Sequence, residues 1–121
     1  MPRDPREFLP LKDLVFRILV ALADGERHGW GLIRALDEAA GTGRLLPGHL
    51  YRTLDRMLDD GLVAERASAR SPATPRTPRG AAPTRFFRLT PLGREVARTE
   101  TARLAGLVAR ARASRLLQER R

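Results

Sequence analysis

Cysteine is missing from this chain of 121 residues. Disulfides, thiolate catalysis and cysteine metal sites are therefore excluded. Only His28 and His49 offer imidazoles, and the adjacent acid pairs, Asp37 with Glu38 and Asp59 with Asp60, fall on expected helices. Neighbouring helical residues point about 100° apart and do not converge on a substrate. Gly41-Thr42-Gly43 has neither the lysine of a phosphate loop nor the third glycine of a dinucleotide fingerprint, so it reads as a turn. No enzyme, metal site or cofactor is expected. Long apolar runs are also lacking: the opening MPRDPREFLP has no signal core, and the run Ile18 to Ala23 is far too short to span a bilayer. A cytoplasmic protein with no membrane partner is the expectation.

Positive charge is abundant, by contrast. There are 23 basic and 14 acidic residues, a formal charge of +9, and Lys12 is the only lysine. Residues 1–62 hold nine bases and ten acids, net −1; residues 63–94 hold seven arginines and one acid, net +6; residues 95–121 hold seven arginines and three acids, net +4. Such a field suits a polyanion, and nucleic acid better than membrane, because no basic segment also has a strong aromatic and aliphatic face. Arginine-rich codon usage is the competing explanation.

Helical spacing organises the first half. Leu11, Leu14, Val15, Ile18, Leu19 and Leu22 place a first helix at about Leu11 to Ala23, ended by Asp24 and Gly25. Leu32, Ile33, Leu36, Ala39 and Ala40 form a narrower stripe in a second helix that stops before Gly41, with Trp30 expected as a core anchor at its start. Pro47 suits the first position of a third helix and Gly61 the residue just past its end, giving about 14 residues. On it Leu50, Leu54, Met57 and Leu58 share one face. His49, Arg52 and Arg56 lie nearly opposite, with Thr53 beside them and Tyr51 on the border. Asp55, Asp59 and Asp60 fall in the second half, so only the N-terminal half suits phosphates, as for a recognition helix entering a major groove by its N-terminus. An amphipathic surface helix with solvated arginines shows the same pattern.

Leu62 to Arg66 and Arg85 to Leu89 are strand candidates joined by a loop rich in proline and arginine, a hairpin whose tip is expected to be mobile. Thr90 and Pro91 then make an N-cap and first helical position. No later proline interrupts the final helix, expected to reach nearly to the C-terminus with Leu92, Val96, Leu104, Leu107, Val108 and Ala111 on one stripe. Its outer part, Leu104, Leu107, Val108 and Ala111, outreaches a three-helix core, and a second copy of the chain is the simplest cover; a frayed solvent helix is the alternative.

The order helix, helix, helix, strand, wing, strand, long helix gives a mainly α fold with a small β-hairpin, a winged helix-turn-helix plus a long C-terminal dimerisation helix. Three blocks sharpen it: ALADGERHGWGLIRAL (Ala21 to Leu36), LPGHLYRTLDRMLDDGLV (Leu46 to Val63) and FFRLTPLGREV (Phe86 to Val96). In this order they closely resemble the HGY-type, PGTLYxxLxxLxxxGL-type and YYxLTxxG-type blocks of PadR-like transcriptional regulators, over Leu11 to about Leu107. The resemblance implies a homodimeric repressor on a pseudo-palindromic operator in double-stranded DNA, released by a small-molecule effector or other signal. Residues 1–90 would form the DNA-binding part, with the wing at about 63–89 and its mobile tip at 67–84, and residues 91–121 the dimerisation helix. It places Gly48, His49, Tyr51, Arg52, Thr53 and Arg56 at the groove and His28 and Gly29 near the DNA backbone. The hairpin would lie beside a flanking minor groove; here the wing departs from the family in being longer and richer in proline and arginine, and its Arg70, Arg76, Arg79 and Arg85 are expected to act as a flexible arm.

The chain departs from the family's pattern at Leu46, where relatives often carry serine, and at His49, where a small hydroxyl residue is usual, so base preference does not transfer. Nothing aromatic follows Phe87, which argues against a stacking pocket for planar drugs. Two other readings of the same residues stand beside this one: a winged-helix module that binds an acidic protein, and a non-specific architectural DNA binder.

Overall fold

The spacing from Leu11 to Leu22 produces helix α1, Asp13–Leu22, in the computed structural model, which describes residues 3–40, 46–68 and 84–117. A 3-10 turn, Pro5–Phe8, precedes it, capped by the Asp4 carboxylate, which accepts the Arg6 N–H at 2.9 Å. Strand β1, Arg27–His28, leads into α2, Gly29–Ala40; then come α3, Pro47–Asp59, β2, Val63–Ser68, β3, Thr84–Leu89, and α4, Pro91–Ala113.

Apolar faces meet in one core. Ile18, Leu19 and Leu22 of α1, Leu32, Ile33 and Leu36 of α2, and Leu50, Leu54 and Met57 of α3 are buried together with Leu62, Val63, Phe87 and Val96. Each such aliphatic side chain contributes about 1.5–3 kcal/mol by leaving water. The third helix ends as its sequence directs: Gly61 takes φ +79°, and the Leu62 and Gly61 amides donate to the Met57 and Leu58 carbonyls at 2.9 and 3.1 Å. Those two bonds make a Schellman stop, which turns the chain directly into β2.

The expected hairpin is the outer part of a three-stranded antiparallel sheet in the order β1-β3-β2. Val63 pairs with Leu89 and Ser68 with Thr84, while Arg27 and His28 pair with Phe87 and Phe86 on the other edge of β3. Phe87, on the central strand, is fully buried. The tip, with Arg70, Arg76 and Arg79, lies outside the described residues.

Thr90 begins α4 by accepting the Gly93 N–H at 2.9 Å while its hydroxyl lies 2.6 Å from the Gly61 carbonyl oxygen, to which it donates. A Cβ on Gly93 would stand 1.9 Å from the Leu62 carbonyl oxygen, so only glycine lets α4 cross the start of β2 this closely. Farther along, the buried carboxylate of Glu100 accepts the Leu11 N–H at 2.8 Å and two Arg103 N–H groups, which ties the N-terminal segment to α4.

Two expectations about the helices need correction. Helix α4 stops at Ala113 rather than near the terminus, because Arg115 adopts φ 62° and the Leu116 and Arg115 amides close back on the Ala111 and Arg112 carbonyls. Trp30 is not a core anchor: it is 68% exposed. On α2 the buried stripe of Leu32, Ile33 and Leu36 continues one turn earlier, to Gly29, and Trp30 falls on the outer face.

Candidate nucleic-acid interface

Helix α3 packs its apolar face on the core, and its outer face is bordered on one side by the sheet and on the other by the start of α1. Gly48, His49, Arg52 and Arg56 are exposed on that face. Among the described residues, no hydrogen bond or ion pair engages the side chains of His49, Arg52 or Arg56. Thr53 is half-buried and its hydroxyl donates to the His49 carbonyl at 2.9 Å, so it lies against its own helix. Gly48 lies against Arg52, whose guanidinium would be 3.5 Å from an added Cβ.

The border with the sheet has a different character. Arg85 on β3 bonds Glu65 on β2 and, at 2.9 Å, Asp55 on α3, and its guanidinium lies 5.6 Å from the Tyr51 ring and 5.2 Å from the Phe87 ring. The hydrogen bond with Glu65, followed by that with Asp55, raises its pKa further above the ordinary arginine value. Arg85 is thus a bracket between wing and helix, not part of a flexible arm. Arg66 on β2 is held likewise, 2.5 Å from Glu26 and over the Phe86 ring at 4.5 Å. Its hydrogen bond holds the Glu26 carboxyl below the usual range.

Tyr51, half-buried, packs on the backbone of Gly29; a Cβ there would stand 2.1 Å from the tyrosine hydroxyl. The structure therefore gives Tyr51 a packing role between α3 and α2. His28 caps α2: its Nδ1 accepts the Gly31 N–H at 3.0 Å, and its ring meets Phe86 edge-on at 5.9 Å. That bond puts the proton of the neutral ring on Nε2.

Sequence periodicity missed Lys12. It stands just before α1, outside any apolar stripe, and lines one cleft together with His49, Arg52, Thr53 and Arg56. At the far end of the molecule, Leu107 and Val108 of α4 are exposed, and Leu104 and Ala111 are half-buried. A cleft of about 510 Å³ beside Leu104 is floored by Phe16, Val20, Ala21 and Leu36. No helix among the described residues is long and apolar enough to cross a membrane.

Three packed helices, the third with a cationic outer face, and a sheet-borne hairpin alongside it define a winged helix-turn-helix protein. Residues 18–99 match the Transcriptional regulator PadR-like family. The chain belongs to that family, whose members are transcriptional regulators and not enzymes. No curated protein sequence matches it. Among solved structures, Bacillus subtilis PadR in complex with operator DNA is 20% identical with a TM-score of 0.60, over 74% of this chain and 46% of that one. The chain thus spans under half the length of that relative. A PadR family transcription regulator from Clostridium difficile is 15% identical with a TM-score of 0.67, over 84% and 97% of the two chains. A PadR-like transcriptional regulator from Bacillus cereus is 23% identical with a TM-score of 0.64, over 88% and 93%. These likenesses define the fold.

Proposed function

We propose that the chain is a sequence-specific DNA-binding regulator, a homodimeric repressor that sits on a pseudo-palindromic operator and leaves it when an effector binds. The observation that carries this reading is the outer face of α3, where His49, Arg52 and Arg56 are exposed and engaged by no described acid, whereas the arginines at the wing root are paired. Unpaired arginines on a helix can bond guanine through two N–H groups, worth about 1–3 kcal/mol of base discrimination for each good contact. The relative solved with operator DNA supports the same partner. Dimerisation is supported by Leu107 and Val108, exposed on α4 one turn beyond Leu104, which borders the cleft with Phe16, Val20, Ala21 and Leu36. A second copy covering them would fix the separation of two α3 helices and hence of two half-sites.

The test is a gel-shift titration on DNA from upstream of the protein's own coding sequence and on random duplex, each at low and high salt, with sedimentation to read the oligomeric state. Tighter binding to the upstream DNA by a dimer is the expected outcome. Equal affinity for both duplexes would make the protein an architectural binder, and absence of binding at low salt would point to an acidic protein partner.

A further inference from the structure

We propose that Lys12 and Arg56, which line one cleft between the start of α1 and α3, bind a phosphodiester group of the DNA backbone on the side of α3 away from the wing. The inference rests on the DNA-binding reading and adds a residue and a strand contact that this reading does not contain. The cleft, about 430 Å³, is lined by Lys12, Leu14, Val15, His49, Arg52, Thr53 and Arg56. Every ionisable side chain in that lining is a lysine, arginine or histidine, and none is engaged by another described residue.

The nearby acids Asp13 and Asp60 have cationic partners of their own. Asp13, the next residue, lines the opposite cleft of α1 and is tied to Arg17 at 2.7 Å. Asp60 borders a smaller neighbouring cleft that also touches Lys12 and Arg56, and it faces Arg3 at 3.7 Å. A cationic recess with no carboxylate among its described lining residues attracts an anion through the summed field of its walls.

The backbone adds to that field. Lys12 is the N-cap of α1 and its side chain makes no cap bond; the first amide to close the helix is that of Phe16, onto the Lys12 carbonyl at 3.1 Å. The amides before it have no intrahelical partner, and two of their residues, Leu14 and Val15, line the recess. The position of Lys12 is fixed from behind by the Leu11 N–H bond to buried Glu100. Lysine, a compact charge on a flexible stem, suits a single phosphate oxygen, whereas the planar Arg52 fork beside it suits a base edge. The wing on one flank and Lys12 on the other would then hold the two backbone strands that border the groove.

The experiment is fluorescence anisotropy of the full chain with the upstream duplex and a random duplex across a salt titration. Lys12→Gln is expected to weaken binding to both duplexes about tenfold, the worth of one charge-assisted contact, and to flatten the salt slope by about 0.9 per bound chain. The ratio between the two duplexes should stay as in the wild type. Lys12→Arg should keep the slope, and Arg98→Gln, an equal charge change on exposed α4, should leave slope and affinity unaltered. The Lys12 side chain is exposed and engages no described residue, so the variant folds, which thermal melting verifies. A Lys12→Gln protein with wild-type slope and affinity, or with a loss no larger than that of Arg98→Gln, would overturn the phosphate site while leaving the DNA-binding reading intact. A wild-type chain that binds neither duplex would overturn both.

Discussion

The two borders of α3 are both rich in arginine, yet they are built for opposite ends. On the wing side Arg85 and Arg66 are consumed: Glu65, Asp55 and Glu26 take their N–H groups, and Tyr51, Phe86 and Phe87 lie within cation–π reach of their guanidinium planes. On the α1 side Lys12, Arg52 and Arg56 share a recess with no acid among its described lining residues. A guanidinium already bonded to carboxylates has little left to offer a phosphate, and one held by water alone has everything to offer. The difference teaches that a net charge of +6 over residues 63–94 measures the wing's arginines and not their availability; part of that charge is structural mortar.

The largest expected effect comes from emptying the free side. Replacing both Arg52 and Arg56 with alanine should lower affinity for the preferred duplex by roughly 100-fold, with about 1–3 kcal/mol from the base contact of Arg52 and a charge-assisted phosphate contact of Arg56 beside it, and thermal stability should be nearly unchanged because both side chains are exposed. Retained selectivity in the double variant would erase the contrast between the two borders. A smaller effect is expected on the bracketed side. Arg85→Gln should cost about 1 kcal/mol or less in urea unfolding once solvent screening is allowed for, since a third of the side chain is exposed. It should also free the Asp55 carboxylate to repel DNA and so weaken binding to all sequences alike, by about threefold. A larger change in selectivity than in stability would show that Arg85 contacts bases itself.

The smallest effect is acid-dependent. Arg103, then the Leu11 amide, hold the Glu100 carboxyl below its ordinary value of 4.5, against the opposing pull of burial. A carboxyl with a lowered folded-state pKa stabilises the fold fully above its unfolded value, and that contribution is lost as pH falls through the lower one. Stability measured by urea unfolding should therefore drop as pH is lowered below about 4.5, and Glu100→Gln should flatten that limb. An acid limb identical in the variant would release the N-terminal segment, and Lys12 with it, from the control of α4.

Much of this architecture was legible in the sequence because local chemistry agreed with the tertiary outcome. Pro47 and Gly61 bound α3 to within a residue or so, Thr90 and Pro91 open α4, and the separation of Leu50, Leu54 and Met57 from Arg52 and Arg56 follows from helical geometry alone. The rest depended on contacts between distant residues. Strand β1 has two residues and no alternation to detect; it exists because Phe86 and Phe87 offer β3 a second edge. The end of α4 is set by Arg115 in a left-handed conformation, which glycine would have announced and arginine conceals. Trp30 seemed the natural core residue at its place, but Gly29 takes the buried position so that Tyr51 can pack on its backbone. For the candidate site, the exposed face of α3 could be read from periodicity. The paired state of Arg85 and the cleft that Lys12 shares with Arg56 could not, because each is made by packing between elements.

One bond made by Glu100 has a mechanical meaning. Its carboxylate sits one helical turn before Leu104 and grips the Leu11 amide, the residue next to Lys12. Sliding α4 along its axis therefore drags the N-terminal segment with it or else tears that bond. If α4 is the hinge on which two copies turn, the distance between their reading helices and the setting of each Lys12 are one coordinate, and a ligand that shifts the first resets the second.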